Sequence, residues 1–322
     1  VIRLGIAGCG RITERGYIPA ASAAEGVTIT AFADPNLERR ERCCELWSQS
    51  GGEAAGFADL AALLAAEPVD LLVVAAPLAH HLPLAEAAAA AGVRSLVEKP
   101  PAPDLAAAER LAALEPEPLL AFNRRFLQGQ ELREAVPAEG WLELDLELRF
   151  RRDAWGAHEA RDEALLDAGV HLIDLACHLS AATPIAVRHA QVEPERAELE
   201  LELSRARARI RCATDQRHRE TVAVRDRSDK LLASSAWGGL RSRVAGALGR
   251  PDPLVLSLQR QLEEAGVSLR EQQMGRLPQG HPRLLAIAAD GVTTMAVVEA
   301  ARRSAELGGA EVTVAPMTEV SA

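Results

Sequence analysis

The chain has 322 residues, 48% apolar and 25% charged, with 46 acidic against 36 basic side chains. That length predicts two domains, each able to bury its own core, and the apolar content excludes a disordered chain. The net charge of −10 argues against general binding to nucleic acid or an anionic membrane, because a grip on phosphates needs surplus positive charge.

Ile2–Ala7 reads as a short buried strand that ends in Gly8-Cys9-Gly10. A helix is expected from about Ile12, interrupted near Pro19, and then a strand over Val27–Ala33 that ends at Asp34. Residues 37–47 have helical character, and Asp59 is placed to cap a helix over Leu60–Ala66. Residues 69–75 form a third expected strand, closed by Pro77. An alanine-rich helix over 81–91 and a fourth strand over 93–97 follow, the latter closed by Glu98-Lys99-Pro100. Asp104 opens a further helix to residue 114, and 119–122 is a fifth strand. Apolar strands alternating with helices predict an α/β domain, a doubly wound parallel sheet covered on both faces, over residues 1–123.

After Asn123 the pattern changes. Residues 141–150 alternate leucine with charge, and 198–203, Ala206–Ala213 and 220–224 look similar. Such strands have one packed and one exposed face. A helix over 163–179 interrupts them, and a long helix from His281 or Pro282 to about Ala305 closes the set. Residues 124–322 are therefore expected to form an α+β domain on an open, mostly antiparallel sheet. Residues 227–280 are the least legible, with 238–250 read as loop. The sheet offers more face than its helices can cover, which predicts a homodimer or homotetramer joined there.

Five cysteines, Cys9, Cys43, Cys44, Cys177 and Cys212, form no C-x-x-C and read as free thiols. The apolar stretch 60–76 is broken by Glu67, Pro68 and Asp70, so it does not span a bilayer. A cytoplasmic location is expected.

The first βα turn carries Gly8 and Gly10, the first for a tight turn and the second for close approach of a pyrophosphate to a helix N-terminus. Thr13 takes the place of the third glycine of the dinucleotide fingerprint. Asp34, 24 residues after Gly10, is placed to accept hydrogen bonds from a ribose diol and to repel a 2′-phosphate. The expected cofactor is NAD, with NADP second; a plain turn with a capping aspartate is the bland reading. Alanine supplies 62 residues, and lysine only Lys99 and Lys230 against 34 arginines. Lys99 stands at the carboxyl end of a parallel strand, where ligands of such sheets bind. Unlike arginine it can release a proton when tuned. Glu98 is placed to position or tune it; a structural lysine is the alternative. Asp167, His171, Asp174 and His178 share one stripe of a mostly apolar helix. A buried Asp–His network and a metal site are possible there, and an acid/base site is preferred.

These pieces together resemble the glucose-fructose oxidoreductase, inositol dehydrogenase and MocA-like (Gfo/Idh/MocA) family over nearly the whole chain. They are GIAGCGRI, Ala76-Pro77 with His81, VEKP, FNRRF at 122–126, DAGVHLID at 167–174 and the closing ADG…EAARRSAELGG. The resemblance implies an N-terminal dinucleotide (Rossmann) domain and a C-terminal substrate-binding and oligomerisation domain. It implies catalysis by Lys99, Asp167 and His171, with His171 or Lys99 as proton acceptor. Asp174 and Arg124 or Arg125 match positions that touch polyol substrates; Trp155 completes the substrate-binding candidates. The cofactor set is Gly8, Cys9, Gly10, Arg11, Ile12, Asp34, Ala76, Pro77, His81, Glu98 and Lys99, and no metal site is expected. The implied activity is hydride transfer to or from a secondary alcohol or ketone carbon of a sugar, polyol, nucleotide sugar or related intermediate. An imine reductase or a non-catalytic dinucleotide-binding sensor is the alternative. Relatives carry a Gly-Gly pair before the D-x-x-x-H segment; Arg161-Asp162-Glu163-Ala164 here predicts a stiffer, more charged loop and a different substrate pose.

Overall fold

Ile2–Ala7 forms strand β1, apolar along its length and buried at every residue but Arg3. It pairs in parallel with β2 (Val27–Ala33) on one side and β4 (Leu71–Val74) on the other. The computed structural model describes residues 1–152, 162–238, 252–274 and 284–315. Strands β3 (Ala55–Phe57), β5 (Arg94–Val97) and β6 (Leu119–Leu120) complete the parallel part of the first sheet. A short antiparallel strand, β13 (Ala286–Ile287), closes its edge in the order β13-β6-β5-β4-β1-β2-β3. Helices α1 (Ile18–Ala23), α2 (Leu37–Gln49), α3 (Leu60–Ala66), α4 (His81–Ala90) and α5 (Leu105–Ala112) connect the strands. Asn36, Asp59 and Asp104 cap α2, α3 and α5 with a side-chain oxygen on the N–H three residues on, each worth about 1 kcal/mol.

The chain divides into two compact units, Val1–Leu127 with Pro251–Gly291, and Gln128–Arg250 with Val292–Ala322. The expected boundary at 123/124 is corrected. The first unit runs four residues further and recruits a returning segment, helix α8 (Pro253–Gln273), from the illegible stretch. Leu258, Leu262, Ala265 and Leu269 of α8 join Ile2, Leu4, Val27, Ile29 and Leu71 in one buried core. A Cβ on Gly266 would lie 3.1 Å from Val27 Cγ1, so glycine lets the helix sit close to the sheet.

The second unit is built on β7 (Leu142–Arg151), β8 (Pro184–Val192), β9 (Arg196–Leu203), β10 (Ala206–Ala213), β11 (Asp215–Asp226), β12 (Leu231–Gly238) and β14 (Val312–Thr313). Their order is β12-β11-β7-β10-β9-β8-β14. Each neighbouring pair is antiparallel except β7 with β10, which is parallel. Leu142, Leu144, Leu146 and Leu148 line one face with Leu199, Leu201 and Ile210, and α7 (Val170–Ser180) packs against β7 and β10. The opposite face carries ion pairs, cross-strand except for Arg149 with Glu147, which are both on β7. Arg211 meets Asp145 at 2.6 Å, Arg209 meets Glu198 at 2.5 Å, and Arg149 and Arg219 both meet Glu147.

The expected helix over 163–179 is divided, with a π-helical turn over Leu165–Gly169 before α7. The closing helix, α9 (Ala288–Glu306), begins later than expected because β13 precedes it; residues 281–283 lie outside the described residues. Most of the loop expected at 238–250 also lies outside them. Helix α6 (Gln130–Ala135) and strands β3, β8, β12 and β14 were not anticipated. No helix among the described residues is long and apolar enough to cross a membrane.

Candidate active site

Gly8 has φ +105°, and a Cβ there would lie 2.5 Å from the carbonyl oxygen of Ala75, so only glycine makes this turn. Around Gly10 a Cβ would meet nothing within 4 Å, leaving room for a ligand against the backbone. The helical backbone begins at Arg11, and Glu14 N–H donates to Gly10 O. The N–H groups of Arg11, Ile12 and Thr13 therefore form the open N-terminus of a helix, which suits a pyrophosphate. Thr13 is fully buried and donates its hydroxyl to Gly8 O at 2.6 Å, so the residue in place of the third glycine braces the turn.

Cys9 contributes differently from its neighbours. Its N–H donates to Asp34 Oδ2 at 2.8 Å, and its buried side chain lies in the core. The hydrogen bond to Cys43 and burial push the Cys9 thiol far above the usual range, so it stays protonated. Asp34 Oδ1 accepts the N–H of Asn36 at 2.8 Å. Two N–H groups use part of the carboxylate's acceptor capacity of about four sites, and the remainder suits ribose hydroxyls. Arg40 Nη1 donates to Asp34 O.

The carboxyl ends of β1, β4 and β5 lie side by side. Ala75 N–H donates to Ala7 O, and Glu98 N–H donates to Val74 O. This edge gathers Gly8, Ala76, Pro77, His81, Glu98 and Lys99. The buried ring of His81 bridges the carbonyl oxygens of Ala76 and Pro100, 2.9 Å each, which ties the two strand ends together. Glu98 Oε2 accepts the backbone N–H of Lys99 at 3.1 Å, and Glu98 Oε1 accepts the hydroxyl of the fully buried Tyr17 at 2.7 Å. Burial raises the Glu98 carboxyl, opposed by the Tyr17 hydrogen bond and the Lys99 charge.

Arg125 is 4% exposed and pairs with Asp290 at 3.3 Å, and Asn123 donates to Ser257 Oγ. Arg124 is half-buried. In the second unit, His171 and Asp174 are buried on α7 at 6% and 2% exposure. Asp167, on the π-helical turn, takes Nε and Nη2 of Arg152 on one oxygen, Oδ2. The same guanidinium donates to Asp162 O, and Arg302 holds Glu163 at 2.6 Å. The segment before α7 is thus fixed by two arginines. Trp155 lies outside the described residues.

A family model described as "Oxidoreductase family, NAD-binding Rossmann fold" matches residues 2–119. The matched stretch, residues 2–119, is similar to the NAD-binding domain of the Gfo/Idh/MocA family. It is 31% identical to YceM of Salmonella typhimurium over 184 residues, 56% of each chain. It is 30% identical to D-apiose dehydrogenase of Paraburkholderia graminis over 185 residues, 52% of this chain and 47% of the relative. These matches span about half the length of the curated relatives. The fold is similar to that of the WlbA dehydrogenase of Bordetella pertussis, solved with NADH and UDP-GlcNAcA. There the TM-score is 0.72 at 19% identity, over 98% of this chain and 99% of the other.

Among the described residues, three π-helical turns fall on three of the motifs that carry the family resemblance. Thr13–Tyr17 follows GCGRI, Arg125–Gly129 begins on the last residue of FNRR, and Leu165–Gly169 contains Asp167. Such turns are rare and concentrate at functional sites. Sequence reasoning missed Tyr17 and Arg152. Their partners, Glu98 and Asp167, are 81 and 15 residues away, distances that no local spacing encodes.

Proposed function

We propose that the chain is an NAD-dependent oxidoreductase that moves a hydride to or from a secondary alcohol or ketone carbon of a sugar or polyol. One observation carries this reading: Lys99 stands on the sheet edge that holds the dinucleotide turn, its backbone N–H held by the carboxylate of half-buried Glu98. The half-used acceptor capacity of Asp34 supports NAD over NADP. The sugar and polyol substrate class is supported by the names of relatives such as D-apiose dehydrogenase.

When bound, nicotinamide supplies the hydride chemistry at C4. Gly8 and Gly10 admit the pyrophosphate, and the helix from Arg11 presents N–H groups to it. Asp34 accepts the ribose hydroxyls. In the oxidation direction Lys99 Nζ donates a hydrogen bond to the substrate oxygen and stabilises alkoxide character as the proton leaves. With Lys99 as the donor, the proton goes to the imidazole of His171; in the alternative assignment Lys99 arrives as the free amine and takes the proton itself, and Asp167, oriented by Arg152, tunes the acceptor. Asp174 and Arg124 or Arg125 orient the polyol.

The test is NADH and NADPH titration by fluorescence, followed by turnover on a sugar and polyol panel. Tighter NADH binding with hydride transfer on a member of the panel is expected. Equal or tighter NADPH binding overturns the cofactor assignment and makes Arg39 and Arg40 the residues to examine. Dinucleotide binding without turnover on any sugar, polyol or corresponding ketone overturns the activity.

A further inference from the structure

We propose that Tyr17 is a positioning residue for Lys99, acting through Glu98. The proposal rests on Lys99 taking part in hydride transfer. Tyr17 ends the π-helical turn that follows the dinucleotide turn, and its side chain is completely buried. Its hydroxyl donates to one oxygen of Glu98, and the backbone N–H of Lys99 donates to the other, at 2.7 Å and 3.1 Å. An ionised carboxylate accepts at both oxygens, whereas the neutral acid turns one of them into a donor. The pair of donors therefore suits Glu98 in its charged form against the pull of burial. If the phenol is removed, Oε1 is left in a buried place with one donor fewer. Glu98 is then free to rotate or take up a proton, and Lys99 loses its backbone anchor. The element that cradles the cofactor is in this way coupled to the residue assigned to the substrate oxygen. This is the only tyrosine in the chain, so a tyrosine-specific spectrum reports on this bond alone.

The ring-mode doublet of tyrosine in the Raman spectrum distinguishes a strong hydrogen-bond donor from an acceptor or a free phenol. The wild-type protein is expected to show the donor pattern, and an acceptor or free pattern overturns the proposal. Tyr17→Phe is expected to lower single-turnover hydride transfer about tenfold or more, with NADH affinity within about twofold of wild type. In a Lys99→Ala background the same substitution is expected to cost nothing further, because the effect is routed through the lysine. A wild-type rate in Tyr17→Phe, or the same loss in both backgrounds, overturns the positioning role. Wild-type turnover in Lys99→Ala overturns the functional reading instead, which separates the two failures. Should Tyr17→Phe fail to fold, Glu98→Gln takes its place in the same comparison. An amide offers an acceptor to only one of the two donors, so the same loss and the same dependence on Lys99 are expected.

Discussion

Lys99 is one of two lysines against 34 arginines, and its backbone N–H is held by Glu98 Oε2. Arginine keeps the charge, but its planar fork is wider and it does not release a proton. Lys99→Arg is therefore expected to keep NADH affinity and to lose roughly 10² or more in kcat. NADH titration beside single-turnover kinetics checks this, and near-wild-type turnover returns Lys99 to a structural role. Asp34 has a double task, as an acceptor for the N–H groups of Cys9 and Asn36 and as the proposed ribose acceptor. Asp34→Ala leaves the buried Cys9 N–H without its carboxylate partner, at a cost of about 1–3 kcal/mol. It is expected to lower Tm as well as NADH affinity. A loss of affinity at unchanged Tm shows that the contact to Cys9 contributes nothing.

At the scale of elements, Asp70 joins the start of β4 to β1. Its carboxylate accepts from the backbone N–H of Arg3 and from Nε and Nη2 of the same guanidinium, at 2.8–3.0 Å. The side-chain hydrogen bonds from Arg3 hold its carboxyl below the usual range. A carboxyl lowered in the folded state adds stability that is present above its unfolded pKa. That stability is lost as pH falls through the folded value. Asp70→Asn is expected to lower Tm at neutral pH and to flatten the fall in Tm between about pH 5 and pH 2. Thermal melts across that range check it, and parallel curves for the two proteins remove the linkage.

Elements were legible where one periodicity was strong. β1, β2, β10 and α3 have the expected bounds, because apolar runs, alternation and a capping aspartate each leave a local signal. β3 is three small or glycine-flanked residues, Ala55–Phe57, and β12, with Ser234 and Ser235 at its centre, does not alternate. Helix α8 did carry a signal. Leu254, Leu258, Leu262, Ala265 and Leu269 recur at helical spacing, but the Gly-, Ser- and Arg-rich stretch before them obscured it. The site was legible as far as single residues with unusual types or positions, Gly8, Asp34 and Lys99. The contacts that brace Glu98 and Asp167, from Tyr17 and Arg152 respectively, arise only when distant segments fold together.

For the whole molecule, the outer face of the second sheet bears on assembly. It is a ladder of arginines matched to Asp145, Glu147 and Glu198, not an apolar surface. A homodimer or homotetramer joined there is expected to be held by re-pairing of these charges between copies and by the stems of long side chains. Its dissociation is expected to strengthen as salt rises and the charges are screened. Sedimentation at micromolar concentration and several ionic strengths checks this, and a monomer at every salt concentration removes the idea.

The return of α8 to the first sheet has a consequence for how the protein is made. A ribosome delivers all six parallel strands of that sheet by Leu127, yet the helix that covers Ile2, Leu4, Val27 and Ile29 belongs to a segment that ends at Gly291. At about 5–20 residues per second, synthesis of the intervening chain takes on the order of ten to thirty seconds. During that interval the nascent sheet displays an incompletely covered greasy surface, while the whole inserted unit can finish only after α9 has emerged. Until α8 emerges, the core on this side of the sheet is closed by the helical segment over Thr13–Ala23.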